Sequence, residues 1–213
     1  MDNPPLLSYV AAMASTVMAS EVTRLFELRN GPARDLGAQA AAVADACHAM
    51  AVWFHRGGKL VTFGTGGSST DAQHVAVEFV HPVIVGKRAL PAISLTTDVA
   101  TVTGIAERDG VAGIFSRQLR CVGRAGDIAM GISADGSSPS VLAGLEAAKE
   151  LGMLTVALTG GEGGTIASSP SVDHALVAAS GDPRIVKEAH VSMYHVLWEL
   201  VHVFFEQPGA LAP

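Results

Sequence analysis

The chain is short of cysteine, of basic charge and of low-complexity sequence, and each shortage excludes a class of protein. Its two cysteines among 213 residues, Cys47 and Cys121, sit in apolar, helix-like contexts without metal-ligand spacing. Neither a disulfide framework nor a cysteine metal site is expected; both read as buried free thiols, as suits the cytoplasm. Lysine and arginine number 14 against 20 aspartates and glutamates, for a net charge of −6, and no basic run is interleaved with aromatics. A nucleic-acid surface is therefore not expected, nor a membrane partner, and the ligand should be a small molecule. No internal repeat or biased tract appears. Apolar residues, in contrast, make up 49% of the chain and charged ones only 16%, enough to bury one full core in a single domain spanning 1–213.

Five short apolar runs read as buried parallel strands: Lys59 to Phe63, Pro91 to Leu95, Asp127 to Ile132, Met153 to Leu158 and His174 to Ala178. Helix-length segments separate most of them, the pattern of an α/β doubly wound, flavodoxin-like five-stranded sheet. Residues 57–181 form this core. Before it, residues 1–56 form an N-terminal helix pair, about Leu6 to Leu28 and Leu36 to Phe54, divided by a turn at Asn30-Gly31-Pro32. The apolar stretch Leu6 to Met18 has the look of a signal peptide. Asp2 stands where a basic start belongs, however, and Glu21 and Arg24 continue a helical period, so an amphipathic helix is expected. A long C-terminal helix, residues 182–206, opens on Asp182 as N-cap with Pro183 next, and Pro208 and Gly209 end it.

Two loops suggest a pocket. Gly64-Thr65-Gly66-Gly67-Ser68-Ser69 closes the first strand and opens a helix. Glycines let such a loop turn tightly and aim amide N–H groups inward, and the helix N-terminus adds partial positive charge, so an anion is favoured there. Gly131-Ile132-Ser133-Ala134-Asp135-Gly136-Ser137-Ser138-Pro139 repeats the arrangement after the third strand, with Ser138 as N-cap and Pro139 at the first helical position.

Below the first loop, His74 and Glu78 are four residues apart and share one helix face. They could be an exposed pair, a metal pair or an acid/base pair, and the apolar neighbours Val75, Ala76, Val77, Phe79 and Val80 favour a working carboxylate. Asp71, His81 and Asp98 read as cap or turn residues. The last helix is apolar nearly all round except for a stripe of Glu188, Ser192, His195, Glu199, His202 and Glu206. That stripe is either a solvated face or, in part, one wall of a site, and the remaining faces imply a subunit interface.

In chain order, Gly-x-Gly-Gly-Ser, Asp71-Ala72-Gln73-His74, Glu78, Leu90-Pro91-Ala92-Ile93, Phe115-Ser116-Arg117-Gln118, Gly131-Ile132-Ser133, Leu158-Thr159-Gly160, then Arg184-Ile185 before Glu188, His190 and His195, resemble the phosphoheptose isomerase branch of the sugar isomerase (SIS) domain family. The resemblance covers almost the whole chain. It implies a five-stranded parallel sheet, a homotetramer with sites at subunit boundaries, and ketose–aldose isomerisation of a sugar phosphate, sedoheptulose 7-phosphate to a heptose 7-phosphate, through an enediol. It makes Glu78 and His195 the acid/base pair, with Ser68, Ser133 and Ser138 around the sugar phosphate; the expected substrate-binding set on these loops and their neighbours is Thr65, Gly66, Gly67, Ser68, Asp98, Ser133, Ala134, Asp135, Ser138 and Lys187. No cofactor is required by the residues themselves; zinc on His74, Glu78 and His195, as in some relatives, is the one the resemblance allows.

The chain also departs from the family pattern. The family's Ser-Thr-Ser-Gly-Asn-Ser loop is here Ser133-Ala134-Asp135-Gly136-Ser137-Ser138, and Asp135 repels a phosphate unless Lys187, Lys87 or Arg88 neutralises it or its side chain turns away. Lys187 replaces a glutamine metal ligand, and an ammonium beside the cluster makes a divalent ion less welcome. Thr65 replaces an asparagine, and Glu107-Arg108 replace Asn-Asp. The alternative to an enzyme is a non-catalytic SIS protein that binds a sugar phosphate or a replication initiator.

Overall fold

The computed structural model describes residues 6–207, Gly209 and Leu211, with residues 6–14 and 16 described by backbone alone. Asp2 and Pro208, used above, lie outside the described residues. The elements run α1 (Leu6–Glu27), α2 (Asn30–Ala38), α3 (Ala40–His55), β1 (Leu60–Gly64), α4 (Gly67–Val80), β2 (Ala92–Ser94), α5 (Val99–Asp109), α6 (Ile114–Val122), β3 (Ile128–Ser133), α7 (Pro139–Glu150), β4 (Leu154–Gly160), α8 (Gly164–Ala167), β5 (His174–Ala178) and α9 (Pro183–Glu206). All five strands pair in parallel in the order β2-β1-β3-β4-β5.

Strands β1, β3 and β4 are buried at every residue, which is why they read as unbroken apolar runs rather than as alternating ones. Alternation survives in which layer each side chain enters. Leu60, Ile128, Met130, Leu154, Val156 and Leu158 join a core with α3, α4 and α9, whereas Val61, Phe63, Ala129 and Ala157 join one with α6 and α7. The sheet order reverses between β1 and β3. The two glycine-serine loops leave these adjacent strands for opposite faces, and a crevice opens between them, where ligands of such sheets bind.

Four local expectations change. Asn30-Gly31-Pro32 starts α2 rather than forming a turn, because a helix's first N–H groups have no intrahelical partner and Pro32 loses little by lacking one; the following helix accordingly begins at Ala40, not Leu36. Cys47 is buried, and its thiol is pushed up to about 12 by burial, but Cys121 is exposed. The buried residues of α6 are Ile114, Phe115 and Leu119, and Cys121 lies past them on the outer face. His202 leaves the solvated stripe: it is buried, with Nδ1 beside the Trp198 carbonyl (2.8 Å) and Nε2 beside that of Arg88 (2.9 Å). Asp71 is neither cap nor turn but a buried residue of α4.

Candidate active site

The first half of the site is backbone. Gly64 ends β1 where a side chain would meet the Ser68 carbonyl at 2.7 Å and that of Ile132 at 2.8 Å, so only glycine lets α4 start this close to β3. Thr65 and Gly66 carbonyls accept from the Ser68 and Ser69 amides, closing the first turn. In the second loop, Gly136 has φ +71° and packs on the Gly163 carbonyl, a conformation and a contact that both exclude a Cβ. Ser138 occupies the N-cap position of α7 but makes no capping bond; its hydroxyl lies 3.2 Å from Ser140 Oγ and 3.5 Å from Thr65 Oγ1.

Between the loops is a cavity of about 540 Å³, whose lining includes Thr65, Gly67, Ser68, Ser133, Ala134, Asp135, Ser138 and Lys187. Gly66 belongs to the same turn. Asp98 does not line it: its carboxylate caps α5, accepting from the Thr101 amide (3.1 Å) and hydroxyl (2.7 Å). Asp135 is held by its own loop, accepting from Ser137 N (3.0 Å) and Ser133 Oγ (3.3 Å), and the bonds from Ser137, then Ser133, keep its carboxyl below the usual carboxylate range. The other two cations considered for it are engaged elsewhere, Lys87 with Glu206 and Arg88 over the Phe205 ring.

Lys187 is partly exposed, but its ammonium is turned onto α4. Its ammonium donates to Asp71 Oδ1 (2.7 Å), the Gly67 carbonyl (2.9 Å) and Thr70 Oγ1 (3.0 Å), so its charge is balanced by a buried carboxylate at the mouth of the cavity. Beside it, His190 is buried and its pKa is pushed down by burial, with an opposing hydrogen bond to the Thr159 backbone. Its Nε2 has no partner among the described residues.

The second half of the site is side chain. Along α4 from Ser68, His74 and Glu78 meet His195 of α9. His74 Nε2 is 3.1 Å from Glu78 Oε1, and His195 Nε2 is 4.0 Å from the same oxygen. Glu78 is 8% exposed, while both imidazoles are partly open to solvent. Trp198 Nε1 donates to the Glu78 carbonyl (2.9 Å), locking α9 to α4. The Tyr194 hydroxyl lies 2.7 Å from His74 Nδ1, and burial, followed by the charges of Asp71 and Glu78, pushes its phenol pKa up.

Two glycine-serine loops at the sheet's reversal point are thus joined by one helix to a His-Glu-His cluster, an anion-favouring cavity and a group of acid/base side chains on one element, and comparison with known proteins identifies the family. The SIS domain family model matches residues 33–160. A phosphoheptose isomerase of Desulfovibrio desulfuricans is 45% identical over 166 residues, 77% of this chain and 78% of the relative. The structure of phosphoheptose isomerase GmhA from Neisseria gonorrhoeae superposes with a TM-score of 0.79 at 30% identity, over 86% of this chain and 98% of that one. A phosphoheptose isomerase from Francisella tularensis gives 0.81 at 29%, over 87% and 98%. The chain belongs to the SIS domain family, in its phosphoheptose isomerase branch.

Membership makes zinc a question for these residues. The ligand atoms of His74, Glu78 and His195 lie within 4.8 Å of one another, whereas tetrahedral zinc with bonds of roughly 2.0–2.2 Å holds its ligand atoms about 3.3–3.6 Å apart. Small side-chain movements bring all three onto one ion, two imidazoles and a carboxylate are a donor set zinc accepts, and Tyr194 supplies the outer partner that metal-binding histidines usually have. The residues fit the metal. Sequence reasoning missed Asp71, Tyr194 and His190 as parts of the site. Asp71 and His190 stand in the stretches that carry the family resemblance, which was the available signal; nothing in the sequence joins position 71 to 187 or 74 to 194.

Proposed function

We propose that the chain interconverts sedoheptulose 7-phosphate and a heptose 7-phosphate, and that the observation carrying this reading is the meeting of Glu78 with His195 across 117 positions of sequence at one carboxylate oxygen. The phosphate takes the cavity between the loops, where the α4 N-terminus, Ser68 and Ser138 offer donors and Lys187, its three N–H groups engaged with α4, lends positive charge. The reacting carbons lie toward the cluster. Glu78 follows Ser68 by ten residues, about 15 Å along a helix, so this division suits a substrate with its anion at one end and its carbonyl at the other.

Glu78 takes the proton from C1 of the ketose, the electron pair forms the C1–C2 double bond of an enediol, and the same carboxyl returns the proton to C2. His195 carries a proton from the C1 hydroxyl to the C2 oxygen, so that the carbonyl ends on C1. His74 donates to Glu78 and orients it. Zinc, when bound on His74, Glu78 and His195, supplies polarisation of the two substrate oxygens.

We read residues 1–213 as one SIS domain working as a cytoplasmic homotetramer with sites at subunit interfaces. Support comes from the exposed Val17, Met18, Val22 and Phe26 of α1, from an apolar cavity of about 470 Å³ beside Leu36, Val43, Met193 and Val196, and from the open histidines, which a neighbouring subunit would cover. No helix among the described residues is long and apolar enough to cross a membrane. The test is incubation with sedoheptulose 7-phosphate in deuterated water. Solvent deuterium at C1 of recovered ketose or C2 of the aldose is expected; binding without exchange would instead favour the sugar-phosphate-binding alternative.

A further inference from the structure

We propose that Tyr194 is a positioning residue of the acid/base cluster, bonding His74 Nδ1 through its hydroxyl and so turning the opposite nitrogen, Nε2, onto Glu78. This rests on the isomerase reading of the cluster. His74 keeps 41% of its side chain exposed, and an imidazole that open has several rotamers and two tautomers available. Tyr194 removes that freedom. It is 1% exposed, fixed in α9, and its hydroxyl is 2.7 Å from Nδ1.

The direction of the bonds follows from the far end. A carboxylate only accepts, so the 3.1 Å approach of Nε2 to Glu78 Oε1 puts the imidazole proton on Nε2, leaves Nδ1 as acceptor, and makes the phenol the donor. The result is a relay from Tyr194 O–H to His74 Nδ1 and from His74 Nε2–H to Glu78. The Tyr194 ring also packs edge-on against both histidines, with centroids 5.2 Å from His74 at 74° and 5.0 Å from His195 at 67°. One buried side chain therefore orients all three members. With a metal held by His74, the imidazole proton would sit on Nδ1, the phenol oxygen would accept its hydrogen bond, and the same contact would orient the ligand.

Tyr194→Phe retains the ring and removes the hydroxyl alone. The expected result is a kcat about tenfold lower with KM within about twofold, since the substituted atom lies behind His74 rather than against the substrate. Nitrogen-15 spectra of chelator-treated protein at pH 8, with His74 assigned by comparison with His74→Gln, should show the Nε2–H tautomer in the parent and a mixture in the variant. An unchanged kcat in a folded Tyr194→Phe overturns the proposal, and so does a parent spectrum showing His74 as Nδ1–H or already mixed. A wrong parent tautomer overturns the proposal even if the variant does not fold. The spectra also separate the two ideas: a parent inert toward sedoheptulose 7-phosphate counts against the isomerase reading, whereas the change of tautomer from parent to Tyr194→Phe, read without substrate, judges Tyr194.

Discussion

Helix α4 begins in one kind of chemistry and runs into another. At its N-terminus the cavity is built from loop backbone held by glycines, with donors that stay in place whichever side chains decorate them. Further along, the His74, Glu78 and His195 cluster is built from side chains brought together by α9, and each atom depends on one residue. The departures from the family pattern divide in the same way. Ala134, Asp135 and Thr65 alter the loops, whose amides remain; the cluster loses a glutamine to Lys187 but keeps its carboxylate and both imidazoles. A backbone anion site tolerates substitution that an acid/base pair does not, because an amide donor survives a change of side chain whereas proton transfer needs one particular group at one place.

The sharpest way to test that division is at Glu78. Glu78→Gln keeps the shape and removes the base, and proton exchange into sedoheptulose 7-phosphate should fall by roughly 10²–10⁴-fold, with ligand affinity from calorimetry changed less than about threefold. A variant that still exchanges would place the base elsewhere. Next in size is Lys187→Gln, which strands the Asp71 carboxylate at 5% side-chain exposure while Lys187 itself is 43% exposed. Breaking a fully buried pair costs about 3–5 kcal/mol, and water around the lysine reduces this to about 2 kcal/mol, read as a lower urea midpoint. Adding Asp71→Asn should restore most of it. The same Lys187→Gln protein, now carrying an unbalanced carboxylate three residues from His74, should bind zinc more tightly in competition with a chelator; an unchanged affinity would mean that the ion pair and the cluster are electrostatically independent.

A smaller effect is expected in the loop. Asp135→Ser removes a negative charge from the cavity lining and supplies a hydroxyl, and about 1 kcal/mol of relieved repulsion corresponds to a KM about fivefold lower. A higher KM would show that the carboxylate's bonds to Ser133 and Ser137 matter more to loop shape than its charge does to phosphate. The smallest effect concerns the start of α9. Asp182 is held down to about 2, chiefly by hydrogen bonds from Arg184, against an ordinary value of 3.8. Its folded pKa lies below the unfolded one, so its contribution is complete above about pH 4 and disappears as the pH falls toward 2. The melting-temperature gap between the parent and Asp182→Asn should close over that interval.

Much of this molecule was legible before folding was considered. The three inner strands stand out because a parallel strand covered on both faces is a short apolar run; β2 and β5, expected to be buried as well, lie at the sheet edges and are only partly covered. The loops stand out because turns of that kind need glycine. Asp182-Pro183 marks the head of α9, since a carboxylate that accepts from the next turn and a ring that needs no N–H both favour a helix start. Local rules misjudged α2, where a proline expected to break the chain sits harmlessly in a first turn, and the outer position of Cys121 on α6. They misjudged His202 as well, because its stripe on α9 is covered by the segment carrying Arg88, a neighbour that periodicity does not reveal.

What the sequence by itself determined is the set of parts: strand count and order of appearance, the two anion-favouring loops, and a carboxylate and imidazole of the right chemistry. These depend on backbone preference and on burial along a few consecutive residues. Only the tertiary structure decided which parts act together. Lys187 answers Asp71 rather than a metal, Asp135 folds back on its own loop, and Tyr194 governs His74. Each of these pairings beyond a single loop joins α4 to α9 across more than a hundred residues, and hydrogen bonds and charges depend on distances in space that spacing along the chain does not record.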